Sequence, residues 1–252
     1  MKASSRYEWE EFAEDCYRAG KNVIENAEIW KQVVRDDDPK LIALFLLIRT
    51  LSNFSGAIVL AGMSMPVEAR ILTRCCFENL FTVVALAEQG AAFVRKMIQD
   101  YDADRKMRGE FLLKNASGPR DDDEQLKATL RSLQSRQRTL NPKNNAAAGP
   151  IHVGYAFYAQ LSADAGHPTI AALYRYLERS QVGDKKVMKI HVDGVDAAEI
   201  LETVNFACDA LIGVAVYVNS ILESPDNPEL SRLLGQMTSR AAMEANFEQR
   251  AG

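Results

Sequence analysis

The sequence is short of turn formers, with 14 glycines and 8 prolines in 252 residues. An all-β sandwich needs a turn signal about every ten residues, and disordered chains are richer still in these residue types, so both classes are excluded. Aromatic side chains are scarce at 8%, with tryptophan only at Trp9 and Trp30. Neither charge dominates: 30 basic residues face 34 acidic ones, for a net charge of −4. The chain as a whole therefore lacks the basic surplus that binding a phosphate backbone requires, and nucleic acid is not an expected partner. A mean hydropathy of −0.19 leaves no room for several membrane spans. The opening stretch, Met-Lys-Ala-Ser-Ser-Arg-Tyr-Glu-Trp-Glu, contains no apolar signal-peptide core, so the cytoplasm is the expected compartment.

The four cysteines, Cys16, Cys75, Cys76 and Cys208, show no framework spacing, and the adjacent pair sits in an apolar helical pattern that suits small buried thiols. Long hydrophobic runs are few. Leu41 to Ile48 is continuous, but Arg49, Thr50, Ser52, Asn53 and Ser55 follow, too many polar groups for roughly 20 lipid-facing residues. Ala210 to Val218 is nearer the length of a core helix. Both read as central helices of a bundle rather than as spans.

What is present is helical periodicity. Tyr7, Phe12, Cys16, Val23, Ile24, Ala27 and Trp30 follow three- and four-residue steps in a first helix expected to stop near Val34. Asp38 and Pro39 supply a cap and a first-turn proline for a second helix to Gly62. Met63-Ser64-Met65-Pro66 is so short a connection that a third helix, to Gly90, must run back beside it. A fourth helix covers roughly Ala91 to Lys114. Residues 115–123 form a linker before a polar helix near Glu124 to Arg138, and Asn141 to Pro150 reads as a mobile loop. Helices resume at Gly154 to Ala165 and Pro168 to Arg179. Near 186–192 the period changes to two, a strand without an evident partner. Asp196-Ala197-Ala198-Glu199 resembles a capping box for a long helix ending at Ser224-Pro225, and Asn227-Pro228 opens a last polar helix. The expected fold is all-α, a multi-helix antiparallel bundle of about eight or nine helices with at most one short β element near 186–192. The chain reads as one domain over 1–252, with a core at 5–115 and 151–224, a mobile excursion at 115–150 and a polar helix at 227–250.

Nucleotide-cradling glycine motifs, the Gly-x-Ser-x-Gly nucleophile turn and His-Glu-x-x-His are all absent. Asp100, Asp102 and Asp104 imitate the start of a calcium loop, but Arg105 and Phe111 occupy the positions of the required glycine and glutamate, so the three read as a solvated face. His152, His167 and His191 show no ligand spacing, and neither a metal nor another cofactor is implied.

One constellation stands out. Val67, Ile71, Arg74, Glu78 and Phe81 fall at helical steps on a stripe expected to face the core, with Arg70 one turn earlier. A buried guanidinium needs a partner, and Glu78 one turn later is the obvious one. Arg70 would repel Arg74 unless another acceptor intervenes. Arg49 and Asn53 form a one-turn polar pair on the second helix. Downstream, Tyr155, Tyr158 and Ser162 share a face. His167 precedes Pro168 at the expected N-terminus of a helix, whose dipole disfavours imidazolium. The candidate polar centre is thus Arg70, Arg74, Glu78, Tyr155, Tyr158, Ser162 and His167.

Arg74-Cys75-Cys76-Phe77-Glu78, with Tyr158-Ala159-Gln160-Leu161-Ser162 and His167-Pro168, resembles an uncharacterised bacterial all-helical family known only as a domain of unknown function. The resemblance spans roughly residues 40–220. It implies a helical fold with a shared polar centre and no assigned activity. Three readings follow. The first is a binding or interaction module whose centre holds a small polar or anionic ligand, or which only locks the helices in register. The second is a HEPN-like ribonuclease of a toxin or defence system, with a split Arg74 and His167 site. Such enzymes pair Arg and His on one helix, which no histidine here does. The third is a homodimeric scaffold using the first helix with Trp9 and Trp30. No nucleophile with its activating base is identifiable, so enzymatic activity is not expected.

Overall fold

The computed structural model describes residues 3–27, 35–115, 123–133, 140–182, 185–191 and 196–237. Helices α1 (Ala3–Glu25), α2 (Pro39–Gly62), α3 (Pro66–Gln89) and α4 (Ala91–Asn115) come first, then α5 (Asp123–Ser132) and a short α6 (Pro142–Ala146). Helix α7 (His152–Leu161) runs into a π-helical turn at Ser162–Gly166, followed by α8 (Ile170–Tyr174). A hairpin of β1 (Leu177–Val182) and β2 (Lys185–Ile190) leads to α9 (Ala197–Ile221), and residues 228–237 form α10.

The caps explain the boundaries. The Asp38 carboxylate accepts the Lys40 N–H at 2.7 Å, and Pro39 fills the first helical turn of α2. At the other end Ser64 takes a left-handed φ of 61°. The Met65 N–H then reaches the Leu60 carbonyl and the Ser64 N–H the Ala61 carbonyl, which satisfies the last carbonyls of α2 and turns the chain into α3. Gly90 ends α3 with φ 53° and ψ −134°, a backbone state that favours glycine.

Helices α2, α3 and α9 pack on one another, with α1 laid across α2 and α9. Their shared core holds Leu44, Leu47 and Phe54 from α2, Phe77, Phe81 and Val84 from α3, and Leu211, Ile212 and Val214 from α9. The approach of α3 and α9 is close: a Cβ on Gly213 would lie 2.9 Å from a Leu80 methyl. A buried polar seam sets the register of α2 against α3. Thr50 donates back to the Leu46 carbonyl at 2.6 Å and accepts from the Asn79 amide at 3.1 Å. By length and composition alone α2 and α9 could each cross a membrane, and 44% and 50% of their most apolar windows are buried within the fold. Within the fold both pack at the centre, on α3 and on each other.

Several local expectations change. The strand near 186–192 finds its partner inside the segment read as the helix Pro168 to Arg179. That helix stops at Tyr174, and Leu177–Val182 pairs antiparallel with Lys185–Ile190. The Asp196 side chain caps α9 through the Ala198 N–H at 2.9 Å, but Glu199 turns to two arginines, so the reciprocal half of the capping box is replaced by ion pairs. Asn141 to Pro150 is not all loop: it contains α6, which packs on α3 with Asn145 and Ala146 buried. Asp100 does not sit on a solvated face. It is buried and accepts the Leu140 N–H at 2.9 Å, pinning the chain that leads into α6. Trp9 is buried in the core rather than offered to a partner, and Trp30 lies outside the described residues.

Helix α10 buries Leu230 and Leu233 in the core and meets α1 through a charge cluster. Asp15 accepts from Arg18 at 2.5 Å and from Arg232 at 3.0 Å, and Glu229 accepts from Asn22 at 3.1 Å. Burial raises the Asp15 pKa, but the hydrogen bonds from Arg232 and Arg18 outweigh it and hold the carboxyl below its usual range. A depressed carboxylate pKa contributes stability above the unfolded-state value, and that contribution is lost as pH falls through the folded-state value. Asp15→Asn is therefore expected to weaken folding near neutrality and to flatten the acid side of a pH-dependent urea-denaturation series. An unchanged acid limb would show that this clamp does not couple to folding.

Candidate functional site

Two arginines one turn apart on α3 organise the polar interior, and they do so differently. The core face of α3 is centred on Ala69, Thr73, Cys76, Phe77 and Leu80, which turns Ile71 outward and leaves Arg74 and Glu78 half-buried at its margin. Arg70 is the buried one, with only 4% of its side chain exposed.

The desolvated Arg70 charge is met by three carboxylates. Its terminal nitrogens pair with Asp164 and Glu202, and its Nε lies 3.2 Å from both Glu199 Oε1 and Thr203 Oγ1. Arg175 adds a second cation, 3.0 Å from Glu199. The acceptors come from the π-helical turn and from α9, so Arg70 joins three parts of the fold. It also resolves the repulsion expected from Arg74, because carboxylates neutralise both guanidiniums.

Arg74 anchors the smaller centre. Its NH2 lies 2.9 Å from Glu78 Oε1 and donates to the Tyr158 hydroxyl at 3.0 Å, while Nε donates to Ser162 Oγ at 2.9 Å. The Tyr158 hydroxyl donates in turn to Glu78 at 3.1 Å, and the guanidinium stands 5.1 Å from the Tyr158 ring centroid. Burial lowers the Arg74 pKa, and Glu78 and Tyr158 more than reverse this, so the group stays charged. Phe81 and Tyr155 flank the Tyr158 ring at 5.7 and 5.8 Å, which makes Tyr155 a packing partner of the centre. The neighbouring thiols are not activated. Burial and the nearby Glu78 push Cys75 upward, against Arg74 and Arg49, and burial pushes Cys76 well above its ordinary value.

Five of the candidate residues thus fall into two linked centres, Arg70 in one and Arg74, Glu78, Tyr158 and Ser162 in the other. His167 does not join by a hydrogen bond of its ring. It is exposed and precedes a helix that starts only at Ile170, capped by Thr169, so the helix-terminus argument for its charge state falls away. It stays on the same side of the molecule, because its neighbour Gly166 lies against the Arg74 side chain. On α2, Arg49 is exposed while the Asn53 amide nitrogen is buried without a partner, so these two do not form the pair their spacing suggested.

Beside Arg70 opens a cavity of about 780 Å³. Glu199, Glu202, Asn205 and Asp209 descend one face of α9 into it, Asp196 stands at its rim, and Phe157 and Phe206 stack at 4.7 Å along its wall. This acidic face is the part that the sequence reading missed. Its signal was there, a polar stripe at three- and four-residue steps through an otherwise apolar helix. Among the described residues, no group of three or more His, Cys, Asp or Glu side chains is arranged to hold a metal ion.

Removing Arg70 would leave its carboxylates facing one another in a half-buried space. Arg70→Ala is expected to cost about 3–5 kcal/mol of unfolding free energy by urea denaturation, and Glu202→Gln, at 40% side-chain exposure, clearly less. Equal losses would mean that the cage is not what holds the turn to α9.

No curated protein and no solved structure matches the chain. A family model does, over residues 40–185, more than half of the chain. The matched stretch includes Arg70, Arg74, Glu78, Tyr158, Ser162 and Asp164 and ends before α9 with Glu199 and Glu202. The chain belongs to the Family of unknown function (DUF5677).

Proposed function

We propose that this protein is a helical binding module whose cavity beside Arg70 receives a positively charged, partly apolar group. The observation that carries this reading is the charge balance of the cavity wall. Asp196, Glu199, Glu202 and Asp209 line it with one guanidinium, that of Arg70, which Glu199, Glu202 and Asp164 already meet, while Arg175 offsets part of the Glu199 charge. Carboxylates in a partly desolvated cleft focus negative potential on whatever enters it. The Phe157 and Phe206 rings add an apolar wall that attracts cations through its faces. An anionic ligand, one of the polar ligand types that the sequence suggests, would need a guanidinium free to meet it, and both Arg70 and Arg74 face carboxylates.

In this reading the Arg74, Glu78, Tyr158 and Ser162 centre is structural support. It fixes the end of α7 against α3, and the π-helical turn that follows delivers Asp164 to Arg70. The ribonuclease alternative has less behind it. Arg74 and His167 lie on one side of the fold, but the Arg74 charge is already neutralised, and an acidic cavity repels a phosphate backbone. A cytoplasmic setting and the absence of a cofactor belong to this proposal.

Spermidine is a suitable probe, being polycationic with apolar spacers. At saturating concentration it is expected to raise the Tm of the full chain by several degrees over sodium chloride of equal ionic strength. Asp209→Asn should lose most of that shift, and inorganic phosphate should produce none. No shift with spermidine, an undiminished shift in the variant, or a larger shift with phosphate would each overturn the reading.

A further inference from the structure

The β-hairpin stands apart from the bundle. Its strands pair only with each other, and among the described residues no helix packs extensively against either of them. A two-stranded hairpin without such cover is marginally stable in water, yet this one shows 69% of Met188 and 78% of Ile190 to solvent.

Its two faces differ in charge. The register places Glu178 opposite Lys189, and Glu178 also meets the His191 ring at 2.6 Å, so that face carries a carboxylate beside its lysines. On the other face Arg179 lies opposite Met188 and Leu177 opposite Ile190, a cationic and apolar surface. Over residues 177–190 four basic residues outnumber two acidic ones, within a chain of net charge −4.

The surface complementary to this face is on the same molecule. The cavity beside Arg70 is acidic and walled by Phe157, Phe206, Phe12 and Met237. The root of the hairpin lies at its rim: Arg175, two residues before β1, pairs with Glu199, and Asp196 and Ala198 line the cavity just after the hairpin returns. An arm and a complementary cleft side by side can be satisfied reciprocally across a two-fold axis, which closes the assembly at two chains.

We propose that the cavity is occupied by the hairpin of a second copy of this chain, with Arg179 of each arm facing the acidic side of α9 and Met188 and Ile190 covering its aromatic wall. This names the occupant of the site proposed above and rests on that reading. Exchange of the arms buries the exposed apolar side chains of the hairpin and gives it the packing partner that its own bundle does not supply.

Multi-angle light scattering of the full chain at tens of micromolar should give twice the 28.0 kDa of one chain, falling toward the monomer as salt rises. The Met188→Asp, Ile190→Asp double variant should be monomeric with unchanged helical circular dichroism. Arg179→Glu or Asp209→Arg alone should weaken the dimer about tenfold or more, and the two together should restore it. A monomeric wild type, a dimer that survives the double aspartate variant, or a charge reversal that does not restore association would each overturn the proposal. Saturating spermidine competes with the arm for the cavity, so it should shift the wild-type dimer toward monomer, and its binding to the double aspartate variant keeps the two readings distinct. If the wild type is monomeric and spermidine still stabilises that variant, the cavity takes a cation and the dimer is rejected; if the wild type is monomeric and spermidine stabilises neither protein, both fail.

Discussion

The arrangement depends on one buried charge. Arg70 is held almost out of water, and a guanidinium in that position is tolerated only if its donors meet acceptors. The acceptors come from Asp164, Glu199, Glu202 and Thr203, roughly a hundred residues or more along the chain. Satisfying one side chain therefore requires α3, the π-helical turn and α9 to arrive together. The planar fork of arginine suits such a multi-sided cage better than the point charge of lysine would.

The second arginine works at a margin. Arg74 finds Glu78 one turn away and reaches across to Tyr158 and Ser162, a set that water partly shares. Exposure weakens each of these contacts, but together they aim α7. Ser162 and Asp164, at the start and middle of the same turn, serve Arg74 and Arg70 respectively, so a displacement of α7 would disturb both centres. Burial pushes the thiols of Cys75 and Cys76, which follow Arg74, above their ordinary range, so the thiolate is disfavoured there.

The acidic face of α9 follows from the same cage. Three carboxylates are needed around Arg70, and the helix that contributes two of them continues with Asn205 and Asp209 toward the cavity. Arg175 offsets part of the negative charge, and the remainder gives the cavity its polarity. The basic face of the hairpin, springing from the adjacent chain, is its natural complement.

Much of the fold was legible in the sequence because its signals act within a turn. Asp38 with Pro39 and Met65 with Pro66 set the ends of the α2–α3 hairpin, the apolar runs mark α2 and α9, and the four-residue steps of Arg74 to Glu78 and Tyr158 to Ser162 place one centre almost completely. Other features were decided only in three dimensions. Which arginine is buried depends on how α3 rotates against α2 and α9, because residues four apart differ by only about 40° around the helix axis. Leu177–Val182 has no strand pattern strong enough to read alone and becomes a strand because Lys185–Ile190 folds back on it. Glu199 fits a capping box by spacing, yet it serves Arg70 and Arg175, since a buried charge gains more from a carboxylate than an exposed helix end does. Caps and periodicity depend on neighbours in sequence, whereas the partners of a buried charge depend on which helices meet, and that is settled only by packing.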